Sequence, residues 1–224
     1  MSGYKLIILK DLLEYHGEDK AKEVLSSFSS LPGKGKDVQE FLHNKAIEFE
    51  NRELATTYLI FASYKNKMLL AGYFTLANKS LILNKKAVKN KASKGSASGI
   101  SNNLLRKLKP YSKYMKEVDL YIINAPLIGQ LGKNYAINQG KLIKGDELLK
   151  IACDKVWEIQ RHFSGRFVYL ECEDNDKLRD FYSSNGFVVF GKRFLDPDER
   201  DDFSGNYLLQ MIKDLKSHNA RSSE

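Results

Sequence analysis

The sequence predicts an α/β or α+β fold in which helices pack on a mixed β-sheet. Short runs rich in β-branched and aromatic residues alternate with longer segments that have helical spacing. The predicted order is two helices, a hairpin, two strands, a helix, a strand, a short helix and two final strands. This order is typical of a sheet covered by helices. A chain of 224 residues is long enough to bury a substantial core.

The N-terminal half contains five predicted elements and one polar break. Turn residues from Ser29 to Gly35 separate the two helices, and Asp37 is the candidate N-cap of the second. The five elements are a strand over Tyr4 to Leu9, a helix over Asp19 to Phe28, a helix over Asp37 to Glu50, and a hairpin formed by Thr56 to Tyr64 and Met68 to Ala77.

The C-terminal half begins after a polar segment. Residues Asn84 to Asn103 lack apolar periodicity and predict a mobile loop. The elements that follow are strands over Val118 to Ile123 and Leu127 to Leu131, a helix over Asp146 to Phe163, a strand over Phe167 to Cys172, a helix over Asn175 to Ser184, and strands over Val188 to Arg193 and Tyr207 to Ile212. We therefore expect an N-terminal extension over 1–36, a main domain over 37–213 with a basic insertion at about 84–103, and a polar tail over 214–224.

Positive charge is concentrated in the middle of the chain. The net charge is +8, and between Glu53 and Glu117 there are thirteen Lys or Arg residues and no Asp or Glu. One interpretation is an anionic partner such as a nucleotide phosphate or RNA. The other is a lysine-rich surface that is only solvated.

Other features exclude several classes of protein. The longest apolar run, Met68 to Ala77, is half the length that a membrane span needs. The N-terminus lacks the apolar region of a signal peptide. Cys153 and Cys172 form no C-x-x-C pair, so they indicate neither a zinc site nor a disulfide framework. We expect a cytoplasmic protein that binds no metal and no membrane.

The stretch from Tyr169 to Val188 carries the most specific motif in the chain. It resembles the C-terminal motif of GNAT N-acetyltransferases, Asn-x-x-Ala-x-x-Phe-Tyr-x-x-x-Gly-Phe between two strands. The matching residues are Asn175, Phe181, Tyr182, Gly186 and Phe187, whereas Leu178 stands where the family has alanine. The resemblance extends over roughly residues 38 to 195 and implies a mixed, mostly antiparallel central sheet flanked by helices.

The resemblance also implies an activity and a catalytic residue. Members of the family transfer an acetyl group from acetyl-CoA to a primary amine, which attacks the thioester directly. Tyr182 matches the tyrosine that approaches the sulfur and is proposed to protonate the leaving thiolate; the alternative is a packing role. Asn175 is expected to cap a helix and to contact the donor. Glu171 and Glu173 are candidate general bases, or else carboxylates that face solvent at the end of a strand.

The donor-binding residues follow from two further likenesses. Pro126 to Gly132 resembles the strand that runs beside the pantetheine arm. Gly145 matches the last position of the family's Gln/Arg-x-x-Gly-x-Gly/Ala loop, while Gly140 and Ile143 depart from it. A pyrophosphate is bound by backbone N–H groups at a helix N-terminus. The implied donor-binding set is Gln130, Leu131, Gly132, Lys141, Ile143, Lys144, Gly145, Asp146 and Asn175.

The acceptor is left open by the sequence. It is an unidentified primary amine in the leading interpretation. In the first alternative it is the α-amine of an aminoacyl-tRNA, as in bacterial toxins of the GNAT family, although their Arg-Leu-Ala is Gln130-Leu131-Gly132 here. In the second alternative the chain binds CoA without catalysis. The sequence also leaves open whether the protein is a homodimer.

Overall fold

The structure is a computed structural model that describes residues 3–84, 100–136, 140–197, 203 and 205–216. Of the mobile loop predicted over Asn84 to Asn103, residues 85–99 lie outside these ranges, as does the tail from residue 217 onward. At the ends of that range the prediction is wrong, because Asn84 ends a strand and Asn102 begins a helix. The predicted strands and helices fall within the described ranges. Their bounds can therefore be compared with those expected from the sequence.

The strands that the structure describes belong to a seven-stranded sheet and a three-stranded sheet. In chain order they are β1 (Tyr4–Ile8), β2 (Thr56–Tyr64), β3 (Lys67–Ala77), β4 (Ser80–Asn84), β5 (Ser112–Met115), β6 (Leu120–Asn124), β7 (Leu127–Lys133), β8 (Phe167–Glu173), β9 (Val188–Phe194) and β10 (Tyr207–Asp214).

The helices pack on these strands. They are α1 (Leu9–Ser26), α2 (Lys36–Glu40), α3 (Ala46–Asn51), α4 (Asn102–Leu108), α5 (Gly145–Phe163) and α6 (Asp176–Ser184), with a π-helical turn at Phe41–Lys45 and a 3₁₀ turn at Lys109–Tyr111. None of the helices in the described ranges is long and apolar enough to cross a membrane. The chain divides into two compact units, the first formed by Met1–Asn78 with Ile128–Lys155 and the second by Lys79–Leu127 with Val156–Glu224.

In the first unit, the sheet has the strand order β1-β2-β3-β7. The predicted hairpin is confirmed: β2 and β3 are antiparallel, and Lys65 and Asn66 have φ values of 49° and 60° in the turn between them. Two successive left-handed residues suit the right-handed twist of paired strands. Strand β1 also pairs with β2, and Leu9 and Leu25 of α1 are buried in the same core as Leu59.

Two helix boundaries in this unit differ from those expected. The first helix begins at Leu9 instead of Asp19, and it continues through a kink at Gly17, whose φ is 79°. The second begins at Lys36, so Asp37 lies in its first turn and is not the N-cap. Gly35 precedes this helix with φ 65°, a conformation that glycine adopts without steric cost.

In the second unit, β8, β10 and β9 are adjacent and antiparallel. Gln210 of β10 pairs with Glu171 of β8 on one side and with Gly191 of β9 on the other. The smaller sheet has the order β4-β6-β5. Strands β4 and β5 and helix α4 were not predicted, because each is short and has no clear apolar period.

Candidate functional site

Strand β7 is the predicted neighbour of the donor's pantetheine arm. The backbone N–H of Gln130 donates to Thr75 Oγ1 over 2.9 Å. Gln130 and Leu131 are half-buried, whereas Gly132 is buried. A Cβ atom at Gly132 would lie 2.5 Å from Val38 Cγ1 and 2.9 Å from Phe28 Cζ. Neighbouring side chains therefore already fill the space that the alanine of the toxins' Arg-Leu-Ala would need at this position.

The chain that leaves β7 is fixed by Asn134, whose side chain is fully buried. Its Nδ2 donates to the carbonyl oxygens of Ser27 (3.0 Å) and Leu70 (2.9 Å). Its Oδ1 accepts from the backbone N–H groups of Ser29 and Ala136, both over 3.0 Å. One amide therefore joins the segment after α1, strand β3 and the segment after β7.

The loop that leads into α5 packs closely on its own residues. Gly140 has φ 71°, and a Cβ atom there would lie 2.8 Å from the ring of Tyr135. Ile143 is 1% exposed, so it is a core residue of this segment. Gly145 is the first residue of α5, as the family loop implies. In the described part of the loop, the side chains of Lys141 and Lys144 are exposed and Gly145 is half-buried.

The carboxylate of Glu147 already accepts a hydrogen bond from a backbone N–H group at the N-terminus of α5. Glu147 Oε2 accepts from the backbone N–H of Lys144 over 3.0 Å. The Tyr4 hydroxyl lies 3.2 Å from the same oxygen and 3.3 Å from the Leu142 carbonyl oxygen. Burial and, to a lesser extent, the charge of Glu147 raise the pKa of Tyr4. The Lys144 N–H is therefore already bonded, and Asp146 and Glu147 place negative charge where a pyrophosphate would bind.

In the second unit, the motif around Tyr182 has the local structure that its sequence indicates. Asn175 caps α6, because its Oδ1 accepts from the N–H groups of Lys177 (2.9 Å) and Leu178 (3.4 Å). Gly186 ends the helix with φ 85°. The ring of Tyr182 is half-buried and makes edge contacts with Phe181 and Phe187, at centroid distances of 5.0 and 6.0 Å. Phe187 is buried, as expected of a core residue.

One of the two candidate bases, Glu171, is held by its neighbours. Arg193 Nε donates to Glu171 Oε2 over 2.7 Å, and Gln210 Nε2 donates to Oε1 over 2.8 Å. The Glu171 side chain is only 14% exposed. Gly191 leaves room for this arrangement, since a Cβ atom there would lie 3.0 Å from Gln210 Oε1. Both carboxylate oxygens of Glu171 thus stabilise the sheet.

Two other groups near this strand have shifted pKa values. Burial raises the pKa of the Cys172 thiol to about 11, so the thiol stays protonated and is a poor nucleophile at neutral pH. The hydrogen bond from Tyr207 and the nearby cations Arg179 and Lys192 lower the pKa of Asp174. Asp174 is therefore a charged structural carboxylate.

The structure places the predicted donor residues from Gln130 to Asp146 in the first unit, and Asn175 and Tyr182 in the second. Sequence reasoning missed Asn134, Tyr4, Arg193 and Gln210. The first three belong to no motif. Gln210 lies in a predicted strand, but its contact with Glu171 depends on the pairing register.

No family model matches the chain, and no curated protein matches it. Solved structures do match. A Tyr-to-Phe mutant of the toxin AtaT has a TM-score of 0.58 at 17% identity, covering 96% of this chain and 91% of that one. AtaT complexed with acetyl-methionyl-tRNAfMet has a TM-score of 0.57 at 18% identity, with 97% and 98% covered. A Tyr-to-Phe mutant of KacT has a TM-score of 0.57 at 16% identity, with 96% and 97% covered.

At these identities the likeness is one of fold. The chain has the GNAT fold of these toxins, with a mostly antiparallel seven-stranded sheet flanked by helices. The fold predicted from the motif around Tyr182 is therefore confirmed.

Proposed function

We propose that this protein is an N-acetyltransferase that uses acetyl-CoA as its donor. The observation that supports the proposal is the order of three elements in one compact unit: strand β7 is followed by a glycine-containing loop and then by the N-terminus of α5. A structure of AtaT bound to acetyl-CoA and to the C-terminus of the antitoxin AtaR has the same fold, with a TM-score of 0.56 at 17% identity. This likeness supports acetyl-CoA as the cosubstrate.

The donor is held mainly by backbone groups. The backbone from Gln130 to Gly132 binds the pantetheine arm. The backbone N–H groups of Gly145 and Asp146 bind the pyrophosphate, because the Lys144 N–H is bonded to Glu147 and Ile143 is buried. Lys141 and Lys144 offset the negative charge of Asp146 and Glu147, because all four side chains are exposed around the same helix start. Asn175 retains its capping bonds and contacts the donor through its backbone or its remaining amide hydrogens.

The reaction forms one bond and breaks one bond. The neutral amine attacks the thioester carbonyl carbon, so a C–N bond forms and the C–S bond breaks. The Tyr182 hydroxyl donates a hydrogen bond to the departing sulfur. Full proton transfer from a phenol of pKa about 10 to a thiolate of pKa about 8.5 costs about 2 kcal/mol, so hydrogen bonding is the larger part of its role.

The proton released by the amine passes to a base, directly or through water. Glu171 and Glu173 remain the candidates. Glu171 would have to accept this proton while it is bonded to Arg193 and Gln210. The Glu171→Gln and Glu173→Gln variants separate the two candidates: the variant of the true base should lose about 10²- to 10⁴-fold in kcat, while the other retains its kcat.

We further propose that the acceptor is the α-amine of an aminoacyl-tRNA. AtaT complexed with acetyl-methionyl-tRNAfMet shares the fold of this chain, which favours the toxin alternative over a general amine. The chemistry agrees. An α-amine of pKa about 8 is neutral in about one molecule in ten at pH 7, compared with about one in 2,500 for a lysine side chain.

A comparison of separate acceptors tests the assignment of the aminoacyl-tRNA as acceptor. Wild-type protein is incubated with labelled acetyl-CoA and, separately, with a charged tRNA pool, a lysine-rich peptide and a small primary amine. Uncharged tRNA is the matched control, because it retains the RNA and lacks the amine. We expect label in N-acetyl-aminoacyl-tRNA and none with uncharged tRNA. Label only in the peptide or the small amine would overturn the tRNA assignment and leave the acetyltransferase assignment intact.

A further inference from the structure

The second unit carries exposed cations, close together in the chain, that the proposed chemistry does not use. This basic strip consists of Arg106, Lys107, Lys109, Lys113 and Lys116, on α4, the 3₁₀ turn, β5 and the residue after it; all five are exposed. Among the residues that the structure describes, none of the five forms an ion pair. The nearby carboxylate of Asp119 accepts a hydrogen bond from the Tyr114 hydroxyl over 2.5 Å.

The strip is held on an ordered scaffold. Leu108 of α4 is fully buried. The ring of Tyr111 packs edge-on against Phe167, at a centroid distance of 5.4 Å. The Arg166 guanidinium lies 4.8 Å from the centroid of Tyr111, hydrogen-bonds its hydroxyl, and pairs with Asp214 over 2.8 and 2.5 Å. These contacts hold Tyr111, the last residue of the 3₁₀ turn that carries Lys109, in a fixed position.

We propose that the basic strip binds the phosphate backbone of the RNA that carries the acceptor amine. This inference rests on the proposed function and names the surface that the RNA occupies. Five cations within eleven residues, partly along an extended strand, suit the repeated charge of a nucleic acid strand. Tyr111 and Tyr114 are exposed beside these cations, although each ring also contacts a neighbour, Arg166 or Tyr121. The proposed contacts of the strip are with phosphates, which carry no base sequence.

Two triple variants of equal net charge test the strip. The first carries Lys107→Gln, Lys109→Gln and Lys113→Gln. The control carries Lys5→Gln, Lys20→Gln and Lys22→Gln, which are exposed residues of β1 and α1. The probe is fluorescently labelled uncharged tRNA, and the Kd of its complex with the protein is measured by fluorescence anisotropy. The measurement is repeated from about 50 to 300 mM salt, because salt screens the attraction between lysines and phosphates over this range.

We expect the strip variant to bind tRNA about 10- to 100-fold more weakly, with a salt slope lower by about 2 to 3, because each lost phosphate contact removes about one unit. The control should stay within about twofold of wild type. With charged tRNA as acceptor, the strip variant should raise the acceptor KM and leave the KM for acetyl-CoA unchanged. An equal loss in both variants would show a non-specific charge effect and overturn the proposal.

The remaining outcomes separate this surface from the proposed function. If the strip variant binds tRNA normally but self-associates, the lysines only protect the edge strand β5, and the proposal fails. Tighter wild-type binding of polyglutamate than of tRNA would indicate an acidic protein partner and also overturn it. A third outcome is that wild type binds tRNA but acetylates no acceptor, and that the strip variant binds tRNA more weakly while the control variant does not. The RNA-binding surface would then be supported, and the proposed function would fail.

Discussion

Gly132 of strand β7 lies directly against Val38 of helix α2. A Cβ atom at residue 132 would come within 2.5 Å of Val38 Cγ1, while Tyr73, whose hydroxyl donates to the Val38 carbonyl oxygen over 2.5 Å, holds that helix in place. The proposed donor strand and the N-terminal helices of the first unit are thus packed without spare volume. A larger side chain on strand β7 must therefore displace helix α2, and a larger side chain on helix α2 must displace strand β7.

The Gly132→Ala variant tests this packing. Overpacking of a filled site costs about 1–3 kcal/mol, which lowers the Tm by roughly 2–10 °C in a chain of this size. We also expect a higher KM for acetyl-CoA, because the strand shifts. Gly129→Ala on the same strand is the control: its nearest contact is the Thr75 hydroxyl at 3.0 Å, so a smaller loss is expected. Equal Tm losses in the two variants would contradict the close packing at Gly132.

Tyr182→Phe removes the hydroxyl and keeps the ring that packs between Phe181 and Phe187. We expect an unchanged Tm, nearly unchanged affinity for acetyl-CoA and a kcat lower by about 10- to 1,000-fold. Tyr207→Phe is the matched control, since that hydroxyl bonds Asp174 over 2.6 Å. A kcat equal to that of wild type would assign Tyr182 to packing alone.

Glu147→Gln removes a negative charge beside the proposed pyrophosphate site. The amide oxygen can still accept from the Lys144 N–H, so the start of α5 should remain intact. Because less repulsion acts on the phosphates, the Kd for acetyl-CoA should fall by about 2- to 5-fold at low salt. Isothermal titration calorimetry measures the change. Glu158→Gln, on the same helix but away from its N-terminus, should leave the Kd unaltered; weaker binding by Glu147→Gln would place the pyrophosphate elsewhere.

The burial of Glu50 makes the stability of the folded protein depend on pH, and the direction of the pKa shift gives the sign of that dependence. Burial raises the pKa of this carboxyl, against the opposing effect of the hydrogen bond from the Thr57 N–H over 2.8 Å. A raised folded-state pKa means that the folded protein holds this proton more tightly than the unfolded chain. The stabilisation from Glu50 is therefore present below its unfolded pKa and is lost as the pH rises through the folded pKa.

The Glu50→Gln variant should expose this effect. Glutamine keeps an acceptor for the Thr57 N–H and never ionises. Its Tm relative to wild type should therefore be higher at pH 7 than at pH 4. Glu48→Gln, an exposed residue on the same helix paired with Arg52, should show no such gain at pH 7. If the Tm difference between Glu50→Gln and wild type were the same at pH 4 and pH 7, the claim that folding raises the pKa of Glu50 would be wrong.

The sequence was most informative where residues close together in the chain determine the local geometry. The motif from Asn175 to Gly186 predicts a capped helix and a left-handed end, and both are observed. Likewise, the polar residues from Lys65 to Lys67 between two apolar runs predict the hairpin, whose turn is formed by Lys65 and Asn66. In each case the deciding interactions join residues close together in the chain, so the pattern alone specifies them.

The parts that the sequence did not predict depend on long-range contacts. Asn134 bonds to Ser27 and Leu70, which lie far from it in the chain, and no local pattern distinguishes it from a loop asparagine. Strands β4 and β5 each span five residues or fewer, and among the strands of the described ranges both pair with β6. The role of Gly132 likewise depends on Val38 and Phe28, whose proximity only the fold creates.

The most direct test of acetyl transfer is the release of free CoA thiol coupled to amide formation. Wild-type protein is mixed with acetyl-CoA and a charged tRNA pool, peptide or small amine in turn, and thiol and N-acetyl product are quantified together. We predict one thiol released for each N-acetyl group formed with charged tRNA, and only background thiol release with uncharged tRNA. No acetylated product with any acceptor, at millimolar acetyl-CoA, would contradict the assignment of this chain as an N-acetyltransferase.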